Sequence, residues 1–144
     1  MTAARILKNK ATETITIRTD AKIGQAVDIL SRNNIGAVVV SDDGKTIAGI
    51  LSERDVIHGL QERGASLLDC AVADCMTSDV HTISPSATTN NLLARMTELR
   101  LRHLPVVDDT GQLIGIVSIG DVVKIRLDDL VSEVNALHGY ITNG

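Results

Sequence analysis

The sequence has almost no aromatic side chains: tryptophan and phenylalanine are absent, and Tyr140 is the one aromatic residue. The core must therefore be aliphatic, and a hydrophobic content of 44% supplies enough material for one. Proteins that bind single-stranded nucleic acid usually stack the bases on aromatic faces. The lack of such faces argues against that class of partner.

Long apolar runs and blocks of like charge are also missing. No run approaches the roughly 20 apolar residues that span a bilayer, and the N-terminus has no apolar stretch of signal-peptide length. Fourteen basic and eighteen acidic side chains give a net charge of -4, which does not favour a duplex nucleic acid as partner. We expect a cytoplasmic protein that binds no nucleic acid and does not insert into a membrane.

Cysteine is scarce, and Cys70 and Cys75 fit neither a C-x-x-C redox motif nor a zinc site. His58, His81 and His138 are scattered without the spacing of metal ligands. We interpret the two cysteines as small apolar residues and expect no metal site. A redox switch is the alternative, although a helical turn is not automatically disulfide distance.

The chain does contain an internal repeat with an offset of 66 residues. The segments GILSERD at 49–55 and GIVSIGD at 115–121 both place a serine three residues before an aspartate, directly after an apolar run. The flanking sequence aligns at the same offset, for example Thr16 with Thr82. Two copies of one unit therefore make up the chain.

The hydrophobic periodicity changes in the same order within each copy. A short β-branched stretch precedes a segment with the 3.6-residue period of a helix. Next comes a continuous apolar run, AVVV at 37–40 or LPVV at 104–107, which predicts a buried strand. A tight turn, another strand and a helix beginning at Ser52 or Ser118 complete the unit. The predicted fold class is α+β, with the order strand, helix, strand, turn, strand, helix in each repeat.

A unit of ~60 residues leaves one face of its small sheet uncovered, and its own duplicate can cover that face. We expect two repeats packed around a pseudo-twofold axis, with small-molecule clefts at their seam. The predicted segments are an N-terminal lead-in at 1–14, repeat 1 at 15–63, a connection at 64–79, repeat 2 at 80–127, and a C-terminal helix and tail at 128–144.

The C-terminal segment carries a narrow apolar stripe. Its members alternate in steps of three and four residues: Leu127, Leu130, Val134, Leu137 and Ile141. This spacing is typical of paired helices, although packing on the chain's own domain explains it equally well.

The order of elements, the two copies of Gly-h-h-Ser-x-x-Asp (h, apolar) and the run RHLPVVDDTGQLIG at 102–115 together resemble the CBS domain. A tandem pair of such domains is known as a Bateman module. The resemblance covers residues 10–127 and looks like that of small stand-alone bacterial CBS-pair proteins, which carry no catalytic domain. It implies an adenine nucleotide bound between the repeats, with AMP as the first choice and ATP, ADP, NAD or S-adenosylmethionine as alternatives. It also implies a homodimer, because CBS pairs commonly dimerise through their helices.

The resemblance assigns roles to individual residues. Asp55 and Asp121 would hold the ribose hydroxyls, and Ser52 and Ser118 would contact phosphate. It also places Arg102 and His103 near phosphate, and Thr16, Arg18, Thr82 and Ser84 beside the base. The residues themselves add Arg54, a basic group inside the first motif, and Gly120, which leaves space for a ribose or phosphate to approach. The predicted ligand-binding residues also include Ile50, Leu104, Pro105 and Ile116.

The Ser-x-x-Asp spacing also has an explanation without any ligand. A serine before a helix with an acidic residue three positions later is a capping box, which stabilises a helix by ~0.5–2 kcal/mol. Three points favour a binding site. The usual box partner is the longer Glu or Gln, a helix N-terminus suits phosphate, and basic residues are near both motifs. Capping and binding can coexist.

The two copies are not equivalent. Arg54 aligns with Gly120, and RHLP at 102–105 is aligned with IGAV at 35–38, so the first copy lacks the basic pair and the proline. The sequence therefore predicts a stronger site built from Asp121, Ser118, Arg102 and His103, and a weaker site built from Asp55, Ser52 and Arg54.

The sequence contains no P-loop, no dinucleotide-binding fingerprint and no recognisable set of nucleophile and base. The predicted function is a regulatory adenine-nucleotide sensor, not an enzyme and without a catalytic cofactor. It would signal by conformational change to an unidentified partner protein. The alternatives are a structural or adaptor protein with empty clefts, an NAD- or S-adenosylmethionine-binding regulator, and an undetected nucleotide hydrolase.

Overall fold

The computed structural model describes residues 1–10 and 13–143. The helices are α1 (Ala3–Lys10), α2 (Ile23–Asn33), α3 (Glu53–Arg63), α4 (Val72–Cys75), α5 (Thr89–Leu99) and α6 (Ile119–Asn143). The strands are β1 (Thr16–Ile17), β2 (Ala37–Val40), β3 (Gly49–Ser52), β4 (His103–Val107) and β5 (Leu113–Ser118), and a 3₁₀ helix covers Gly64–Asp69. The mixed helix and strand fold with two repeats is as predicted.

The first repeat forms a three-stranded sheet. Strand β2 lies in the centre, parallel to β1 and antiparallel to β3. All four residues of β2 are buried, as expected for a central strand with a continuous apolar run. Helix α2 covers the sheet with Ile23, Ala26 and Leu30, which recur at steps of three and four.

The second repeat has only the antiparallel pair β4 and β5. The predicted first strand of this repeat is reduced to one parallel bridge between Ile83 and Val106. Pro105 gives the physical reason, because it occupies the position that Val39 has in β2 and carries no N–H to extend the ladder.

The strand register corrects one detail of the repeat alignment. Ala37 pairs with Ser52, and His103 pairs with Ser118, so Ala37 corresponds to His103 and Gly36 to Arg102. The alignment of RHLP with IGAV is therefore wrong by one residue. Val40 and Gly49 correspond to Val106 and Gly115, both at the offset of 66, so the offset can change only within the turn between the two strands and returns to 66 after it.

Each repeat has its own aliphatic core, completed by a segment from outside that repeat. Leu67 and Val72 from the connection are fully buried in the first core. Ala3 and Ile6 of α1 are buried in the second core, and the Ala3 N–H donates to the Ala87 carbonyl at 2.8 Å. The predicted lead-in is thus a structural part of the second repeat.

Helix α6 runs without interruption for 25 residues, so the predicted boundary between 127 and 128 lies inside one helix. Its apolar stripe is exposed, at 57% for Leu127, 64% for Val134 and 70% for Ile141, so packing of the stripe on the chain's own domain is wrong. Over the described residues, none of the helices combines the length and apolarity needed to cross a membrane.

Candidate ligand-binding site

Both Ser-x-x-Asp motifs form capping boxes. The Ser52 N–H donates to Asp55 Oδ2 at 2.8 Å, and the Ser118 N–H donates to Asp121 Oδ2 at 2.9 Å. Each serine hydroxyl accepts in return from the N–H of its aspartate, at 3.3 and 3.2 Å. The inference that aspartate is too short for this role is wrong, because the first helical turn brings residue N3 directly beside the cap.

The carboxylate of Asp55 has a partner on each oxygen. Its Oδ2 accepts from Ser52, and its Oδ1 accepts from the Thr77 hydroxyl at 3.2 Å. Thr77 is itself fixed, because its backbone exchanges two hydrogen bonds of 2.9 Å with Ile50 of β3. The connection between the repeats therefore contributes to the surroundings of Asp55.

Asp121 pairs with a cation instead, on the oxygen that also accepts from the serine N–H. The Lys10 ammonium of α1 donates to Asp121 Oδ2 at 2.9 Å and to the Ile116 carbonyl at 3.2 Å. Burial raises the pKa of Asp121, but the Ser118 N–H and the charge of Lys10 outweigh burial and hold that pKa below its ordinary value. Within residues 1–10 and 13–143, no hydrogen bond reaches Asp121 Oδ1.

A cavity of about 360 Å³, here called the first cavity, lies beside Asp55. Its wall contains three arginines, Arg54, Arg100 and Arg102, and two aspartates, Asp55 and Asp79. The remaining lining residues are Gly36, Ala37, Ile50, Ser52, Thr77, Val80, His81, Leu99, Leu101, His103 and Pro105. Both repeats thus contribute, and the cationic side chains outnumber the carboxylates.

The second cavity, of about 650 Å³, lies beside Asp121. Its charged lining residues are Lys10, Glu13 and Asp121. The others are Leu7, Thr14, Ile15, Asn33, Asn34, Ile35, Gly36, Ala37, His103, Ile114, Ile116 and Ser118. Carboxylates outnumber cations here, which is the reverse of the first cavity.

The two cavities share a wall made of Gly36, Ala37 and His103. This wall is tightly packed, since a Cβ at Gly36 would lie 2.6 Å from Glu53 Oε1 and 2.9 Å from His103 Cε1. Burial, reinforced by the charge of Arg102, lowers the pKa of His103 below its ordinary value. The neutral imidazole is therefore the favoured form between the cavities.

The structure brings most of the predicted site residues to these cavities. Those that line the first cavity are Ile50, Ser52, Arg54, Asp55, Arg102, His103 and Pro105. Those that line the second are His103, Ile116, Ser118 and Asp121. Thr16, Arg18, Thr82, Ser84, Leu104 and Gly120 line neither of the two.

The residues that line neither cavity have other local roles. Arg18 is exposed and pairs with Asp20, and the Ser84 hydroxyl bonds to that of Ser86. Leu104 is fully buried in the second core. The cavities are bordered instead by the residues just upstream of Thr16 and Thr82, namely Thr14 and Ile15 in the second cavity and Val80 and His81 in the first.

The predicted grouping of the charged residues also needs correction. Arg102 lines the cavity of Asp55 and not that of Asp121. The reason is that each cavity lies at the seam between the repeats. The segment before β4, residues 99–102, borders the motif of the first repeat, and the segment before β2, residues 33–36, borders the motif of the second repeat. His103 is the one member of the predicted basic pair that borders both cavities.

Sequence reasoning missed Lys10, Thr77 and Arg100, which line the cavities although none belongs to the repeated motif. It also missed two pairs at the repeat offset, Thr14 with Val80 and Ile15 with His81. The offset of 66 could have identified these pairs. Lys10 and Thr77 lie in α1 and in the connection, where the repeat carries no signal.

Comparison with known proteins identifies the class of protein that this fold and these cavities define. The model of the CBS domain family matches residues 5–62 and 72–128. The chain therefore belongs to the CBS domain family and carries a tandem pair of its domains.

Individual relatives agree with this assignment. The mitochondrial CBS domain-containing protein CBSX3 of Arabidopsis thaliana is 36% identical over 130 residues, a match that covers 88% of this chain and 63% of that protein. The structure of the CBS-domain containing protein ATU1752 from Agrobacterium tumefaciens is 40% identical with a TM-score of 0.80, covering 87% of this chain and 98% of that chain. The structure of CBSX2 in complex with AMP is 25% identical with a TM-score of 0.74, and the match covers 88% of this chain and 96% of that chain.

Proposed function

We propose that the chain is a regulatory module that binds an adenine nucleotide, with AMP as the first choice, in the first cavity. The observation that carries this proposal is the convergence of Asp55, the N-terminus of α3 and three arginines on one cavity between the repeats. A carboxylate accepts hydrogen bonds from a ribose diol, and a helix N-terminus with arginines binds phosphate. The AMP bound by the similar CBSX2 supports the choice of ligand.

The charges favour the first cavity over the second for a phosphorylated ligand. A phosphate monoester carries a charge of about -1.5 to -2 at pH 7. In the first cavity it meets Arg54, Arg100 and Arg102, whereas the second cavity offers Lys10 beside Asp121 and Glu13. The proposal therefore reverses the order of strength expected from the sequence. A cavity of 360 Å³ also lies within the usual size range for small-molecule sites.

Titration calorimetry with AMP, ATP, NAD and S-adenosylmethionine tests the proposal, together with a thermal-shift screen. A ligand at 100 times its dissociation constant adds ~2.7 kcal/mol to the free energy of unfolding. Asp55→Ala and Arg102→Met should weaken binding at least tenfold. Arg5→Met, a change of an exposed arginine on α1, is the matched control and should leave binding unchanged.

Two outcomes would contradict the proposal in different ways. Absence of any shift with all four ligands would favour a structural or adaptor protein with empty clefts. Release of nucleotide breakdown products during long incubation would favour a hydrolase over a regulator.

The position of the cavity supports a regulatory role. A ligand held by residues of both repeats stabilises one relative placement of the repeats, and a partner protein can read that change. Small-angle scattering should therefore differ between the free and the AMP-saturated protein. Identical scattering curves would count against signalling by conformational change.

The exposed stripe of α6 supports a homodimer, with a second copy of this chain as the occupant. The stripe begins at Val123, and from there to Ile141 its successive members lie 4, 3, 4, 3 and 4 residues apart. This spacing is the same in either chain direction. A heptad seam requires a partner of the same period, and a second α6 provides one. Sedimentation should show a dimer that Leu137→Asp dissociates. Ile57→Asp changes an equally exposed apolar residue of α3 as the control, and dissociation by that control alone would place the interface elsewhere.

A cytoplasmic location is consistent with the state of the cysteines. Cys70 and Cys75 are free thiols, and the Arg63 guanidinium donates to Cys70 Sγ at 3.2 Å. Free thiols persist in reducing compartments. Cell fractionation with an antibody to the native chain tests this location, and recovery in an oxidising compartment would contradict it.

A further inference from the structure

The aspartates of the two capping boxes have chemically different partners. In the first repeat the Thr77 hydroxyl bonds to Asp55, and Thr77 also pairs with the backbone of Ile50. In the second repeat the Lys10 ammonium makes both contacts alone, to Asp121 and to the Ile116 carbonyl. The partner of Asp121 is thus a cation bonded to Oδ2, whereas Asp55 has a neutral hydroxyl bonded to Oδ1.

Lys10 is also the sole lysine or arginine lining the second cavity, as far as residues 1–10 and 13–143 are concerned. The acidic groups there are Asp121 and Glu13. Without Lys10, an anionic ligand would meet two carboxylates and no fixed cation. The electrostatics of this cavity therefore depend on one side chain.

The hydrogen bonds of Lys10 leave it able to bind a ligand. An ammonium group has three donors, of which one is used by Asp121 and one by Ile116. The pairing engages only Oδ2 of Asp121, and Oδ1 can accept a ligand hydroxyl. With respect to residues 1–10 and 13–143, the ion pair thus presents one donor for an anionic oxygen and one acceptor for a hydroxyl, both at residues that line the cavity.

We propose that Lys10 determines the specificity of the second cavity, by making it accept a phosphorylated nucleoside in preference to the unphosphorylated one. This inference rests on the proposed binding of adenine nucleotides between the repeats. Lys10 would place one donor on the phosphate while it holds Asp121 for the ribose.

The test compares AMP with adenosine by titration calorimetry in an Asp55→Ala background, so that the second cavity is measured. The quantity of interest is the ratio of the dissociation constants of adenosine and AMP. Lys10→Met keeps the length of the side chain without its charge and should lower this ratio at least tenfold. Lys10→Arg should retain most of the preference. Lys8→Met, on the exposed face of the same helix, is the matched control and should leave the ratio unchanged.

A purely structural role of Lys10 would alter stability or both affinities together and leave the ratio unchanged, which would overturn the inference. Loss of all binding in Asp55→Ala, with the wild type still binding, would also overturn it, because the second cavity would then take no nucleoside. Absence of AMP and adenosine binding by the wild type would instead refute the proposed function itself. Thermal denaturation of Lys10→Arg checks that the helix end remains folded if Lys10→Met is unstable.

Discussion

Replacing Gly49 by alanine tests how tightly the connection is held against the first repeat. A Cβ at this position would lie 2.6 Å from Met76 Sδ and 2.8 Å from the Thr77 carbonyl oxygen, whereas ordinary contacts begin near 3.4 Å. The carbonyl must therefore move by ~0.6 Å, and Thr77 is fixed by its two backbone hydrogen bonds to Ile50. We expect a loss of ~1–3 kcal/mol in the free energy of unfolding, typical of overpacking.

Urea denaturation followed by circular dichroism measures this loss, which should lower the midpoint at constant m-value. The equivalent Gly115→Ala should cost less, because the groups that it meets are the terminal methyls of Leu7, at 2.6 and 2.7 Å, and these can rotate. Gly139→Ala is the control within α6, where a Cβ meets nothing within 4 Å, and should stabilise by ~0.5–1 kcal/mol. A Gly49→Ala protein as stable as the wild type, or a greater loss in Gly115→Ala, would refute the reasoning.

Three further outcomes are expected. Burial lowers the pKa of His103, so the contribution of this histidine to stability is complete above the ordinary value of 6.5 and is lost as the pH falls through the folded-state pKa. Thermal denaturation at several pH values should show a smaller loss of stability with falling pH in His103→Gln than in the wild type. An unchanged dependence of stability on pH would contradict this. Lys10→Met should destabilise the free protein by no more than ~1 kcal/mol in chemical denaturation at pH 7, because the side chains of Lys10 and Asp121 keep 32% and 23% of their exposure and solvent screens the ion pair. A larger loss would mean that Lys10 is chiefly structural. Ile6→Ala should lower the free energy of unfolding by ~2–5 kcal/mol, since Ile6 is 3% exposed in the second core. A loss below ~1 kcal/mol in chemical denaturation would show that α1 is not part of that core.

The repeated elements could be predicted from the sequence because their signals are local. The apolar run at 37–40 coincides with β2, and Ser52 caps its helix as expected. The exception is the first strand of the second repeat, where Pro105 removes a ladder donor on the neighbouring strand. That effect depends on pairing between distant residues, which periodicity does not report.

The sequence predicted which types of residue form the site better than it predicted which of them line the same cavity. The two motif aspartates each line a cavity, but Arg102 faces the cavity of the other repeat's motif. A repeat alignment assigns residues to copies, whereas the cavities form between copies. Lys10 and Thr77 were missed for a related reason, because they come from segments outside the repeats and reach the aspartates only through tertiary packing.

The insertion of α1 into the second core has a consequence for synthesis of the chain on the ribosome. The first core needs residues up to Val72 and can close while the second repeat is still being translated. The second core combines Ala3 and Ile6 with Val117 and Val122, more than 110 positions later in the sequence. Helix α1 must therefore remain undocked while both repeats are translated, and a helix made before either repeat is among the last elements to reach its native place.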